Sequence, residues 1–155
     1  MATTTADLEQ MPADVMLDAN VLIASTDPTR PEHREALRVT SDWPGLGVNL
    51  YTSGQVLREY LSVATRPYEH NGLGLSLPMA IDNVRVFQRQ TTMLADSAKV
   101  VTRLLSLLGD IAGGGKQVHD ANIVATMLAH SVGAIVTMNL KDFARFEPYV
   151  NLIGL

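Results

Sequence analysis

Five oxygen-bearing side chains define the chemistry to look for: Asp18, Glu59, Asp120, Asn139 and Asp142. Asp18 follows the apolar run Val15-Met16-Leu17 directly, so its carboxylate emerges where a short strand ends. Glu59 lies inside the helical stretch GQVLREYLSVAT, and Asp120 falls in the first turn of HDANIVATMLAH. Thr137 and Asn139 close the strand-like AIVT, and Asp142 follows one helical turn later. Carboxylates gathered on one rim repel and raise one another's pKa values unless a cation lies among them. Hard oxygen ligands without His or Cys suit Mg²⁺ or Mn²⁺. Such an ion polarises a phosphoryl oxygen and activates a water for attack on a phosphodiester.

Each of these residues also has a plain local reading. Asp18 can cap the helix that begins at VLIAS. Glu59 can belong to a solvated helical face, although Val56 and Tyr60 beside it lie on or next to the apolar stripe. Asp120 is the kind of first-turn acid that a helix dipole favours. Asn139 and Asp142 suit an ordinary strand-to-helix turn. His119 reads as a packing or hydrogen-bonding histidine rather than a ligand. No single residue points to a site; their joint placement does.

The elements that must position them follow from the periodicity. Short apolar runs at 15–17, 48–51, 92–95 and 134–137 read as strands, with an edge strand at 150–153. Between them lie helical stretches. One begins with VLIAS, and one runs through PEHREALRVTSDW with Pro31 in its first turn. Another follows Ser53 as N-cap and stops at Arg66-Pro67; the next opens at Pro78 and continues to Arg89. Ser97–Leu108 places Val100, Val101, Leu104, Leu105 and Leu108 on one side, and Val118–His130 has Gly133 as its C-cap candidate. Leu140–Phe146 reads as a short helical turn. Short apolar strands separated by helices indicate an α/β fold, a three-layer α/β/α sandwich around a short-stranded, mainly parallel sheet. The functional crevice of such a sheet lies at the carboxyl ends of its strands. Residues 1–13 are polar and Thr-rich and read as a flexible extension, leaving 14–155 as one domain.

Composition removes several alternatives. The 155 residues contain no cysteine, which excludes disulfides, thiolate metal sites and thiol catalysis. The net charge of −4 argues against nucleic-acid binding through a basic surface alone. The N-terminus lacks the basic and apolar regions of a signal peptide, and no apolar run reaches the ~20 residues of a membrane span, so a cytoplasmic protein is expected. Gly113-Gly114-Gly115-Lys116 is not a P-loop: Asp110 stands where glycine is required and Gln117 where Ser or Thr is. Lys116, one helical turn before Asp120, remains a candidate phosphate contact. Asp18-Ala19-Asn20 does not form a phosphatase DxD pair, because Asn20 cannot donate a proton as a general acid. Arg30, Arg34 and Arg38 read as a solvated helical face, and Arg58 as a partner of Glu59 or of a phosphate. Eight aromatic residues do not suggest a base-stacking platform.

Four segments, LDANVLI (17–23), VLREYL (56–61), QVHDANIVATMLAH (117–130) and IVTMNLKDF (135–143), resemble the signatures of PIN-domain ribonucleases. The nearest resemblance is to VapC-type toxins of bacterial toxin–antitoxin pairs, in order over residues 15–153. The resemblance implies a Mg²⁺- or Mn²⁺-dependent endoribonuclease with Asp18, Glu59 and Asp120 as metal ligands. The family's fourth acidic position falls on Asn139, which leaves Asp142 as the candidate for the missing charge. Thr137 matches the family's hydroxyl, and Asn20 its polar residue after the first acid. The partners implied are an RNA substrate, an antitoxin that presents an Arg to the carboxylates, and a second copy of the chain in a homodimer. The alternative is a PIN-fold RNA- or protein-binding module with little or no catalysis. Setting aside the four acids of the rim leaves twelve acids against twelve bases, so the acidity does not oppose an RNA partner. A bound divalent ion would make that rim attractive to phosphate.

Overall fold

The structure, a computed structural model, describes residues 10–111 and 114–155. Its chain order is β1 (Asp14–Leu17), α1 (Ala19–Thr26), α2 (His33–Leu37), β2 (Asn49–Ser53), α3 (Gly54–Ala64), α4 (Leu77–Gln90) and β3 (Thr92–Leu94). Then follow α5 (Ala98–Asp110), α6 (Gln117–Ala129), β4 (Ala134–Thr137), α7 (Leu140–Phe143) and β5 (Asn151–Gly154). The five strands form one sheet in the order β3-β2-β1-β4-β5, and every pairing is parallel. Right-handed crossovers put the connections from β1 to β2 to β3 on one face and those from β3 to β4 to β5 on the other. The helix contacts agree: α1 packs on α2 and α3, and α3 on α4, whereas α5 packs on α6 and α6 on α7. The three-layer α/β/α sandwich read from the sequence is present, with its sheet wholly parallel.

Burial explains the strand composition. Val15, Met16, Leu17 and the whole of β4 are inaccessible, as expected of central strands covered on both faces. The edge strand β5 is only half-buried. Helix α6 carries the site across the second face and is buried at Ala121, Ile123, Val124, Ala125 and Met127. Tyr60 of α3 is fully buried; its hydroxyl meets Thr26 Oγ1 at 3.1 Å and accepts from Asn83 Nδ2 at 2.9 Å. One phenol thereby joins α3 to α1 and α4. No helix among the described residues is long and apolar enough to cross a membrane.

Two local expectations differ from the structure, the helix at 31–43 and the cap at Gly133. The single helix expected through 31–43 is α-helical only over His33–Leu37; it widens to a π turn at Arg38–Asp42 and tightens to 3₁₀ at Trp43–Leu46. Thr40 Oγ1 bonds the Ala36 and Leu37 carbonyls, and Pro44 cannot donate to the preceding turn, so regular i→i−4 bonding fails there. On the apolar side of α5, Val100 and Leu107 face the core, while Val101 and Leu105 are 51% and 66% exposed. Of the extension expected at 1–13, residues 1–9 lie outside the described residues; Met11 packs against the core and Ala13 O accepts from Asn49 N at 2.8 Å. The C-terminus of α6 is closed at Ser131, not at Gly133. Ser131 has φ 60°, with Val132 N bonded to Met127 O and Ser131 N to Leu128 O, the two bonds of a Schellman motif.

A serine in that left-handed position is strained by its Cβ. Ser131→Gly is expected to stabilise the fold by about 1 kcal/mol, after the added freedom of the unfolded chain is allowed for. Chemical denaturation checks this: the midpoint should rise with the slope unchanged.

Candidate active site

Strand order locates the site before any side chain is considered. β1 pairs with β2 on one side and β4 on the other, so the crossovers leave it in opposite directions and a crevice opens beyond β1 and β4. Asp18 stands at the end of β1, and Thr137 and Asn139 at the end of β4. Because Leu17 pairs with Val136, Asp18 is brought opposite Thr137. Thr137 Oγ1 donates to Asp18 Oδ2 at 2.7 Å.

Asp18 is both the cap and the centre of the site. It occupies the N-cap position, where its Oδ1 accepts from the first helical N–H, that of Ala19, at 2.7 Å, and its Oδ2 also accepts from Asn20 Nδ2 at 3.0 Å. Asn20 extends across the crevice: its Nδ2 reaches Thr137 Oγ1 at 3.3 Å and its Oδ1 accepts from Met138 N at 3.1 Å. Asn139 N in turn donates to Thr137 Oγ1 at 2.9 Å. The two turns that carry Asp18 and Asn139 are therefore laced together by short hydrogen bonds. Asp18 is only 6% exposed. Burial raises its pKa, against the lowering effect of bonds from Thr137, Ala19 and Asn20, and the Glu59 charge adds to the rise.

A cavity of about 390 Å³ opens above these turns. It is lined by Asp18, Asn20, Glu59, Asp120 and Asn139, which arrive from four separated stretches of chain. Helix α3 supplies Glu59 because Ser53 starts the helix at the end of β2, accepting from Val56 N at 3.3 Å. Asp120 sits in the first turn of α6. Its pKa is raised from 3.8 to about 6, first by burial, then by the charges of Asp18, Asp142 and Glu59, with Lys116 opposing. Asp142 is exposed and does not line the cavity, yet its charge reaches Asp120. Lys116 and Arg66 do line it, and neither forms an ion pair among the described residues.

Several candidates fall elsewhere. Arg58 lies over Gly54 rather than beside Glu59, as the approach of its guanidinium to the Gly54 backbone shows. Arg30 pairs with Asp27 and Arg38 with Glu35, which keeps both to their own helical surface. His119 lines the cavity, and its carbonyl rather than its ring accepts a 2.8 Å inter-helix bond there. That bond comes from Gln55, which sequence reasoning overlooked. Gln55 Nε2 donates to His119 O at 2.8 Å and to Glu59 Oε1 at 2.9 Å, while Asn122 Nδ2 donates to Gln55 Oε1 at 2.8 Å. The spacing of Gln55 four residues before Glu59, on one helical face, was the available signal.

Asp18, Glu59 and Asp120 are the side chains that could hold a divalent cation. Their donor chemistry fits a hard ion: all are carboxylates, and the upward shifts of Asp18 and Asp120 reflect in part the negative charge each faces. Among the described residues, no three His, Cys, Asp or Glu side chains converge closely enough to hold an ion between them directly.

No family model and no curated protein matches the chain. Solved structures do. VapBC2 from Rickettsia felis bound to a promoter DNA fragment aligns over 92% of this chain and 98% of its own, with TM-score 0.65 and 18% identity. VapC20 of Mycobacterium tuberculosis, described as a sarcin–ricin loop cleaving toxin, aligns over 88% and 96%, with TM-score 0.64 and 15% identity. VapBC-1 from nontypeable Haemophilus influenzae gives TM-score 0.62 at 18% identity over 91% and 97%. The resemblance read from the sequence is thus borne out in fold over most of the chain.

The raised pKa of Asp120 has a thermodynamic consequence in divalent-free buffer. The folded chain binds that proton more tightly than the unfolded chain, so the associated stability is full below about pH 4 and lost as pH rises through about 6. Relative to Asp120→Asn, the native chain should lose roughly 1–2 kcal/mol across that window, a figure reduced for the half-exposed setting of the carboxyl. Parallel denaturant titrations between pH 4 and 7.5 check it; identical pH profiles for the two chains would remove the electrostatic account of the rim.

Proposed function

We propose that this protein is a Mg²⁺- or Mn²⁺-dependent endoribonuclease of the VapC type, the toxin of a toxin–antitoxin pair. The observation that carries the reading is the convergence of Asp18, Glu59, Asp120 and Asn139 on one cavity at the switch point of the sheet. Structures that share this fold include a toxin–antitoxin complex and one toxin described as sarcin–ricin loop cleaving, which supports a nuclease with an antitoxin partner.

In this reading Asp18, Glu59 and Asp120 face the ion together, one or two of them binding it directly and the rest through its waters. When bound, it polarises a phosphoryl oxygen and activates the attacking water. Asp18 is kept as an acceptor by Thr137, Ala19 and Asn20, so its carboxylate does not have to reorganise to meet a cation. Asn139 adds a neutral amide to the rim, and exposed Asp142 supplies negative charge at its edge. Arg66 and Lys116, exposed on the cavity wall, bind phosphates of the substrate strand to either side of the cleaved bond. The same rim is the surface an antitoxin would cover with a cation. A second copy of the chain completes the assembly, and a cytoplasmic location fits this reading.

The test is cleavage of RNA by the native chain and by Asp18→Asn, each with Mg²⁺, with Mn²⁺ and with EDTA. Cutting should depend on the metal and fall by at least 100-fold in the variant, with the circular dichroism spectrum unchanged. Equal activity of the two chains, or inertness of both across metals and RNA substrates, would instead favour a binding module. Arg66→Ala and Lys116→Ala should each raise KM several-fold and lower the salt dependence of RNA binding by about one counterion per cation removed.

A further inference from the structure

The buried amide of Gln55 has a more specific part than packing. The residue is 8% exposed in the first turn of α3, and its side chain joins three groups from two helices. Its orientation is forced. The carboxylate of Glu59 and the carbonyl of His119 can only accept, so both N–H bonds of Gln55 are directed to them. Its Oε1 must then face Asn122, which fills it with a donated N–H. The contact with Glu59 is a charge-assisted bond between residues one helical turn apart. The contact with His119 fastens the same amide to the residue immediately before Asp120.

We infer that Gln55, braced by Asn122, is a positioning residue that fixes the separation of Glu59 from Asp120 and thereby sets the affinity of the site for a divalent cation. This inference rests on the metal-nuclease reading above. Glu59 and Asp120 carry like charges on helices that the sheet does not register against each other. Without a clamp, repulsion and the rotamer freedom of a long carboxylate would carry Glu59 away from the cavity. The amide prevents this by holding Glu59 Oε1, while the chain it is bonded to holds Asp120. Gln55 contributes no charge and does not line the cavity, so it acts only through Glu59 and, by way of the His119 carbonyl, Asp120. Removing a group that holds a metal's ligands in place typically weakens binding by about 10- to 100-fold.

The experiment is titration of the full chain with Mn²⁺, followed by electron paramagnetic resonance of the free ion, for native, Gln55→Leu and Asn122→Ala proteins. All are measured well below their melting midpoints. Gln55→Leu should bind Mn²⁺ about 10- to 100-fold more weakly, and Asn122→Ala should fall between it and the native chain. RNA cleavage should show the matching pattern, with kcat reduced and KM for RNA nearly unchanged, the reverse of Arg66→Ala. A folded Gln55→Leu protein that binds Mn²⁺ as tightly as the native chain overturns the inference. If that variant does not fold, Asn122→Ala carries the test, because it removes the bond that braces the Gln55 amide; undiminished Mn²⁺ affinity there also overturns it. A native chain that binds Mn²⁺ and cuts RNA while both variants match it defeats the clamp and leaves the nuclease reading standing. A native chain that does neither defeats both.

Discussion

Like charge crowded at one rim is the constraint around which this molecule is organised. Asp18, Glu59 and Asp120 face one cavity, and the charges of all three, with Asp142, act on one another. A fold that assembles such a group must supply compensating bonds, since otherwise the side chains would turn outward to water. Two sets of neutral hydrogen bonds provide them. Asn20 and Thr137 hold Asp18 from the strand turns, and Gln55 with Asn122 holds Glu59 from the helices. Both sets use amides or hydroxyls, which fix a carboxylate without neutralising it. Lysine or arginine in those places would hold the acids as well, but would fill the need that a cation otherwise fills.

The difference between the two sets shows why part of the site was legible in the sequence. Asp18, Thr137 and Asn139 follow apolar runs directly, so strand period and the parallel arrangement already place them together at the carboxyl ends. Glu59 and Asp120 follow from helix starts near Ser53 and Lys116. Gln55 and Asn122 could not be read in this way. Their partners lie 64 and 67 residues apart in the chain, and the contact depends on how α3 and α6 are set across the layers. A period says which face of a helix a residue occupies, not which neighbour comes within 3 Å of it.

The same limit applies to the fold. Helical spacing marked Val101 and Leu105 as part of the apolar side of α5, which they are, but how far the rest of the chain covers that side is a tertiary matter. At the end of α6 the presence of Gly133 was a sound local signal, overridden because the chain had already turned at Ser131 to deliver β4 in register with β1. At Arg38–Asp42 both causes of the distortion, Thr40 and Pro44, are visible in the sequence, but the outcome depends on which competing bond the backbone adopts.

The bond between Thr137 and Asp18 spans 119 residues of chain. Everything at the cavity therefore waits on the pairing of β4 with β1, the contact of greatest sequence separation that the site contains. Contacts of this kind close late, because the intervening loop must lose its freedom before they form. During synthesis the ribosome releases Asp18, Glu59 and even Asp120 well before Thr137, and until then the first acid has neither its hydroxyl partner nor the far wall of its crevice. A nascent chain up to that point holds the individual ligands without the arrangement that joins them. The crevice is thus complete only once β4 lies beside β1.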